Sequence, residues 1–353
     1  MEQAEQTRLC REWAENVFYG PSYDDITLSE LPDTYFWKPV LEGLNDQFLY
    51  QYFQLKNYPG VLFSGPPGNG KHTLAKALLN SLWRKRGIPE DKACYAYVQA
   101  QAFPKGQPPQ ETVGRVNAVF EQAEASLKDG SAEYCVLLFD QMEQYNNVQL
   151  VLNAIGEALG EYIDSMGCAR ECFLICITED SALYNSSLFP ELLCCPCENP
   201  GLRQRRKFLR SGLTYSVPDW RSPGSGMNKD IKLSVSGLSV DDLAEQTEGL
   251  SYRQLSDFLF LLKMELVRQG ERSEYQKLDV SIALEQDTVL DILEVLHRPQ
   301  PTGGAVVIAQ GAAVFGQSAA AAANAQTQTN KDPKDMSSSE RLSYLEQYQF
   351  NGD

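Results

Sequence analysis

Gly65-Pro66-Pro67-Gly68-Asn69-Gly70-Lys71 is the stretch that decides how this chain folds. It follows a short apolar run, Val61-Leu62-Phe63-Ser64, and precedes a helix-like segment that opens His72-Thr73-Leu74-Ala75-Lys76-Ala77-Leu78-Leu79. Strand, glycine-rich loop and helix in that order make a phosphate cradle. The glycines let backbone N–H groups turn inward toward phosphate oxygens, and the helix N-terminus adds positive potential. Lys71 is placed to reach the terminal phosphates as a point charge. The context on both sides is what makes the motif specific.

One position departs from the pattern. The residue after the lysine is expected to be Ser or Thr, whose hydroxyl ligates Mg²⁺; here it is His72. Magnesium is a hard cation that prefers oxygen, so imidazole is a poor substitute. Thr73 follows, but a shift of one residue along a helix turns a side chain by about 100°, which leaves it a weak ligand. Two readings of His72 stay open: a solvent-side or phosphate-touching histidine with no metal role, or a nucleotide site with weakened metal dependence.

The chain has 353 residues, room for a core domain, a smaller second domain and a tail. Hydrophobic residues make up 43 %, enough for a sizeable core, and the formal net charge is −16. That acidity disfavours a protein built to neutralise a nucleic-acid backbone, because counterion release needs a basic surface. It does not exclude a nucleotide held by local amides and one lysine. No apolar run approaches the roughly 20 residues of a membrane span, and Met1-Glu2-Gln3-Ala4-Glu5 lacks the basic and apolar regions of a signal peptide. The expected compartment is therefore the cytoplasm. Nine cysteines, several inside apolar runs, read there as buried free thiols. Cys194-Cys195-Pro196-Cys197 resembles half a metal site, but no second Cys or His pair lies nearby, and the histidines are His72 and His297 alone.

Residues 1–54 read as an approach segment whose aromatics, among them Tyr35, Phe36 and Trp37, would pack on the core and partly cover a nucleotide base. Between 55 and 200 apolar strands alternate with helical patterns. Strands are predicted at Val61–Ser64, Cys94–Val98, Tyr134–Phe139, Cys172–Thr178 and Leu192–Cys197, with helices at His72–Arg86, Glu111–Leu127 and Val148–Ile163. Such alternation implies an α/β fold, a parallel sheet with helices on both faces. After Pro200 only helices are predicted, at Leu202–Gly212, Ser239–Gln246, Ser251–Gln269 and Ile282–His297, forming a small helical domain over 201–298. Arg203, Arg205, Arg206, Lys207 and Arg210 make the first of these strongly basic. Given the overall acidity they read as a helix face pairing with acidic neighbours. Residues 299–337 lose periodicity and read as a flexible linker. Residues 338–353 regain it, with Leu342, Leu345 and Tyr348 at helical spacing, and read as a tethered docking segment.

Val136-Leu137-Leu138-Phe139-Asp140-Gln141 supplies a second motif, an apolar strand ending in an acid. An aspartate there sits at the carboxyl edge of the sheet beside the phosphate loop and would hold Mg²⁺, directly or through water. A glutamate at the next position would polarise the attacking water as a general base; the chain has Gln141, whose amide orients water but accepts no proton. Glu143 lies two residues further, within reach only if the loop bends.

On these motifs, with Glu111–Ala123 (ETVGRVNAVFEQA) and Leu243–Leu255 (LAEQTEGLSYRQL) beside them, the chain resembles the AAA+ ATPases from about Leu55 to His297. The resemblance implies a P-loop NTPase sheet followed by a helical lid, ATP or ADP with Mg²⁺ bound between them, and protein partners within an oligomer or hetero-assembly. It makes Gly65, Pro66, Pro67, Gly68, Asn69, Gly70 and Lys71 the phosphate loop, with His72 and Thr73 beside it and Asp140 the metal residue. Thr178 falls at the family's polar sensor position at the end of the fourth strand, followed by Glu179, and Arg253 at a lid arginine that contacts the γ-phosphate. Two family features are missing. Ser181–Cys197 contains no arginine to reach a neighbour's nucleotide, and Gly106-Gln107-Pro108-Pro109-Gln110 stands where threading members carry an aromatic pore loop. With His72, Gln141 and the missing arginine pointing the same way, the leading expectation is an ATP-binding switch or assembly factor with weak or partner-dependent hydrolysis. The alternatives are an active motor remodelling protein partners, using Glu143 or a partner's residue as base with a supplied arginine, and a non-enzymatic interaction protein with a vestigial site.

Overall fold

The structure is a computed structural model that describes residues 2–20, 26–31, 35–44, 58–166, 172–180, 192–218, 228–235, 237–269, 280–284 and 286–297. They fall into two units, Met1–Val289 and Leu290–Asp353. In the second, the described residues are those of the last helix from 290 to 297.

The first unit is built on a sheet whose strands lie in the order β1-β3-β4-β5-β2-β6. These are β1 (Phe18–Tyr19), β2 (Gly60–Ser64), β3 (Ala93–Val98), β4 (Tyr134–Phe139), β5 (Cys172–Thr178) and β6 (Leu193–Pro196). All neighbours are parallel except the short edge pair β1–β3. β2, β4 and β5 are buried along their whole length, which is why they read as unbroken apolar runs rather than as alternating ones.

Alternate residues of each strand feed two separate cores. Leu62, Leu137, Phe139, Leu174 and Cys176 face α1 (Glu2–Glu15), α4 (Pro109–Lys128) and α5 (Val148–Met166). Val61, Phe63, Val136, Leu138, Ile175 and Ile177 face α2 (Lys38–Leu44) and α3 (Lys71–Lys85). The described cysteines are free thiols, mostly buried, as their apolar settings imply. Cys94, Cys135 and Cys172 stand side by side across β3, β4 and β5.

Past Pro200 come α6 (Leu202–Gly212), α7 (Val240–Gln246), α8 (Tyr252–Gln269) and α9 (Gln286–His297). The helical segments stand where the periodicity puts them, but they are not alone. A three-stranded sheet, β7 (Thr214–Pro218), β8 (Asn228–Val235) and β9 (Val280–Leu284), accompanies them. β8 pairs antiparallel with β7 and parallel with β9. This corrects the helix-only expectation, and α9 starts at Gln286 rather than Ile282. The missed signal was the period-two alternation of Ile231, Leu233 and Val235 and of Val280, Ile282 and Leu284.

α6 joins α7 through Arg205, which is buried and donates to the carbonyls of Ala244 and Pro200. Arg206 pairs with Asp241, so part of the basic cluster serves packing and pairing. Ser239 caps α7 with a capping box: its Oγ accepts from the Asp242 amide, and the Asp242 carboxylate accepts from the Ser239 amide at 2.7 Å. Ser239→Ala is expected to destabilise this region by about 1 kcal/mol, read as a lower denaturant midpoint without change in slope.

The stretch 181–191, the linker 299–337 and the docking segment 338–353 lie outside the described residues.

Candidate nucleotide site

The loop 65–70 leaves β2 and enters α3 at the carboxyl edge of the sheet, with β5 and β6 flanking it. Gly65, Gly68 and Gly70 have φ of 127°, 79° and 77°, a region closed to side chains without strain. A Cβ on Gly65 would stand 2.6 Å from the Cys197 carbonyl oxygen. Lys71 is 3 % exposed, and its Nζ folds back to donate to the carbonyls of Gly65 and Pro66 at 2.6 and 2.9 Å. Burial pushes this ammonium below the usual lysine range, against the opposing pull of Glu179, Cys197, Glu143 and Asp140.

Asp140, the residue after β4, is 1 % exposed. Its Oδ1 accepts from His72 Nε2 at 2.9 Å and from the Gln141 amide at 2.8 Å. Its Oδ2 accepts from His72 Nε2 at 3.0 Å and from the Tyr97 hydroxyl at 2.7 Å. Burial alone would raise this carboxyl, but the His72 and Tyr97 hydrogen bonds outweigh it, so Asp140 stays below the ordinary aspartate value. The same burial, and the bond to Asp140, push the Tyr97 phenol up to about 12. Gln99 in turn donates to the Tyr97 oxygen at 2.8 Å. Tyr97 and Gln99 were not among the expected site residues. Their one sequence signal is position, at the carboxyl end of the strand next to β4.

Gln141 sits in the left-handed region, φ 56°, and starts a tight turn over Met142–Gln144. That turn swings Glu143 to the end of β5, where its Oε2 accepts from Thr178 Oγ1 at 3.2 Å and from the Glu179 amide at 2.9 Å. Thr178 is fully buried and also accepts from the Asp180 amide. The turn after Gln141 brings Glu143 and Thr178 together.

The helical region meets the loop directly. The Arg253 amide donates to the Gly68 carbonyl at 2.9 Å. The Tyr252 amide donates to Asn69 Oδ1 at 3.2 Å, and Asn69 Nδ2 donates to Asn199 Oδ1 at 2.8 Å. Asn199 continues to the Gly249 carbonyl. It is the backbone of Arg253 that touches the loop; its side chain is exposed, with its field acting on Asp257 one turn on. Tyr35 lies against Gly70, where an added Cβ would come 2.6 Å from its Cε1. Its hydroxyl is hydrogen-bonded to Thr73, and its ring stacks on Tyr252 at 6.3 Å. Beside it opens a cavity of about 230 Å³, lined by Tyr35, Trp37, Leu74, Pro196, Gln204 and Tyr252.

Residues 61–193 match the family model described as ATPase family associated with various cellular activities (AAA). The chain is 27 % identical over 153 residues to an AAA ATPase forming ring-shaped complexes from Corynebacterium urealyticum, covering 37 % of this chain and 27 % of that protein. It is 29 % identical over 137 residues to the proteasome-associated ATPase of Renibacterium salmoninarum, covering 34 % and 23 %. Against the ring-forming AAA ATPase of Bifidobacterium adolescentis the match is 25 % over 261 residues, covering 66 % and 47 %. The chain thus spans 23 to 47 % of the length of these relatives. Among solved structures, the FIGL-1 AAA domain in complex with ADP has a TM-score of 0.47 at 13 % identity, covering 84 % of this chain and 91 % of that one.

Proposed function

The chain belongs to the AAA+ P-loop ATPases, with its AAA domain at residues 61–193, and from that premise we propose that it acts as a nucleotide-dependent switch or assembly factor with little hydrolysis of its own. ATP or ADP binds along the 65–71 loop, with its base toward the aromatic cavity at Tyr35 and Tyr252. A protein partner reads the bound state. The observation that carries this reading is the joint between loop and lid. Gly68 and Asn69 are hydrogen-bonded to the first residues of α8, so a loop that tightens on phosphate pulls directly on the lid. A ligand shifts such an equilibrium only through contacts that differ between its states, and this reading requires these bonds to change when phosphate binds.

Weak turnover follows from the chemistry beside the loop. Gln141 cannot take a proton, and Glu143 already accepts two hydrogen bonds at the end of β5. The test is a turnover assay beside a nucleotide-titrated melting curve. A clear melting shift with hydrolysis at background supports the switch; hydrolysis well above background that is lost in Lys71→Ala overturns it. That second outcome is the motor reading, with Glu143 or a partner's residue as the base. No helix among the described residues is long and apolar enough to cross a membrane.

Asn69 offers a finer probe. It is 3 % exposed and links the loop to both Asn199 and Tyr252. Asn69→Ala is expected to leave nucleotide affinity within about tenfold while removing nucleotide-induced hydrogen-exchange protection across residues 249–262. Equal protection in the variant would remove Asn69 as the link and leave the coupling to the Gly68–Arg253 bond alone.

A further inference from the structure

The nucleotide loop of this family is expected to work with Mg²⁺, and the residues of this chain do not fit it. Three observations agree. The first is the missing hydroxyl after Lys71, where His72 stands. The second is Asp140: His72 Nε2 lies on both of its oxygens, with the Gln141 amide and the Tyr97 hydroxyl completing the set. A carboxylate offers about four lone-pair directions, and three donors share them across both oxygens, so a cation or its hydration water has to displace one of these donors. The third is Thr73, one residue further along α3, whose side chain is turned about 100° from the ligand position. Glu143, the next carboxylate, is committed to Thr178 and the Glu179 amide. Among the described residues no group of three or more His, Cys, Asp or Glu side chains is placed to hold a metal ion.

We infer that this site takes its nucleotide without a divalent cation, because the His72 side chain holds the carboxylate that would otherwise anchor one. The inference rests on the nucleotide-binding reading above and deepens it. The position of His72 allows this: it is the second residue of α3, and from there it spans to β4 across the sheet's carboxyl edge. The positive groups facing a phosphate are then the ammonium of Lys71, the N–H groups of the 65–71 loop and the N-terminus of α3. None of them needs a metal to be in place, and the buried Asp140 is already matched by donors of the protein itself.

The experiment is calorimetric titration of the full chain with ATP, once with EDTA and once with excess MgCl2. The dissociation constant in excess MgCl2 is expected to be at least about tenfold weaker, because the added cation draws ATP into a chelate that the site does not hold. A Mg²⁺ titration as tight as the EDTA one, or tighter, overturns the inference. His72→Thr restores the hydroxyl and frees one position on each Asp140 oxygen, the Gln141 and Tyr97 bonds remaining; in it Mg²⁺ is expected to tighten ATP about tenfold or more. A variant that Mg²⁺ weakens as it does the parent overturns the role given to His72. Should that variant not fold, a ligand-free melting curve shows it, and the parent chain still decides. Mn²⁺–ATP mixed with the parent chain is expected to show the water-proton relaxation of free Mn²⁺–ATP, and a protein-dependent enhancement overturns the inference. Silence in both titrations removes the nucleotide reading itself, whereas binding that requires Mg²⁺ removes only the metal-free inference.

Discussion

Lys71→Ala is expected to abolish the thermal stabilisation that nucleotide gives to this protein. The parent chain at a nucleotide concentration about 100 times its dissociation constant should gain about 2.7 kcal/mol, or several degrees in melting temperature. The variant should gain nothing measurable at the same concentration, a loss in affinity of about 100-fold or more. The reason lies in where the ammonium sits. It is 3 % exposed and held by two carbonyls of its own loop. Burial disfavours its charged form while Glu179, Glu143 and Asp140 favour it. A phosphate arriving at the loop supplies the anion this buried cation faces at closest range, and hydrogen bonds between charged partners are the strong ones. Lys71→Arg distinguishes charge from shape: the guanidinium keeps the charge but is a planar fork where the site offers room for a compact point charge, so it should recover little. A melting shift in Lys71→Ala matching the parent's would remove the phosphate from the 65–71 loop.

Phe63→Ala should be the most damaging core substitution near the site. Phe63 is wholly buried on β2, between β5 and β6, and its ring belongs to the core under α3. Removing a buried Phe side chain costs about 3–5 kcal/mol, partly lost transfer energy and partly the cavity left behind. Against a total stability of about 5–15 kcal/mol that is a large fraction, and it corresponds to a drop of about 6–20 °C in melting temperature. Because Phe63 stands one residue before Ser64 and the loop, the same change should loosen the phosphate cradle. Nucleotide affinity should fall even at temperatures where the variant remains folded. Phe63→Leu, which keeps most of the volume, should cost much less. A denaturant midpoint for Phe63→Ala equal to the parent's would mean that the strand is not packed as described.

Some of this architecture can be read from a single line of residues. Gly65, Gly68 and Gly70 are glycines because the loop needs positive φ there, a requirement each residue carries locally. The unbroken apolar runs of β2, β4 and β5 declare strands buried on both faces, and the period of α4 declares a helix. Ser239 with Asp242 spells a helix start. The small sheet β7–β9 is less legible. β8 and β9 alternate in period two, but they are short, and the partner that makes β9 a strand is 45 or more residues away in sequence. Pairing over such a distance leaves little local trace.

The site divides along the same line. The phosphate loop, its lysine, and an acid at the end of an apolar strand follow from residue type and spacing alone, as does the departure at His72. That His72 and Asp140 are partners does not; they are 68 residues apart in sequence. Only the strand order β3-β4-β5-β2 brings the end of β4, the Tyr97 hydroxyl from β3 and the first turn of α3 to one edge. The meeting of Asn69 with Tyr252, and of Tyr35 with Gly70, is likewise decided by folding. Backbone conformation and burial period are properties of a few neighbouring residues, so the chain states them outright. Which donor saturates a buried carboxylate depends on the register of strands far apart in the chain, and that exists only once the sheet has closed.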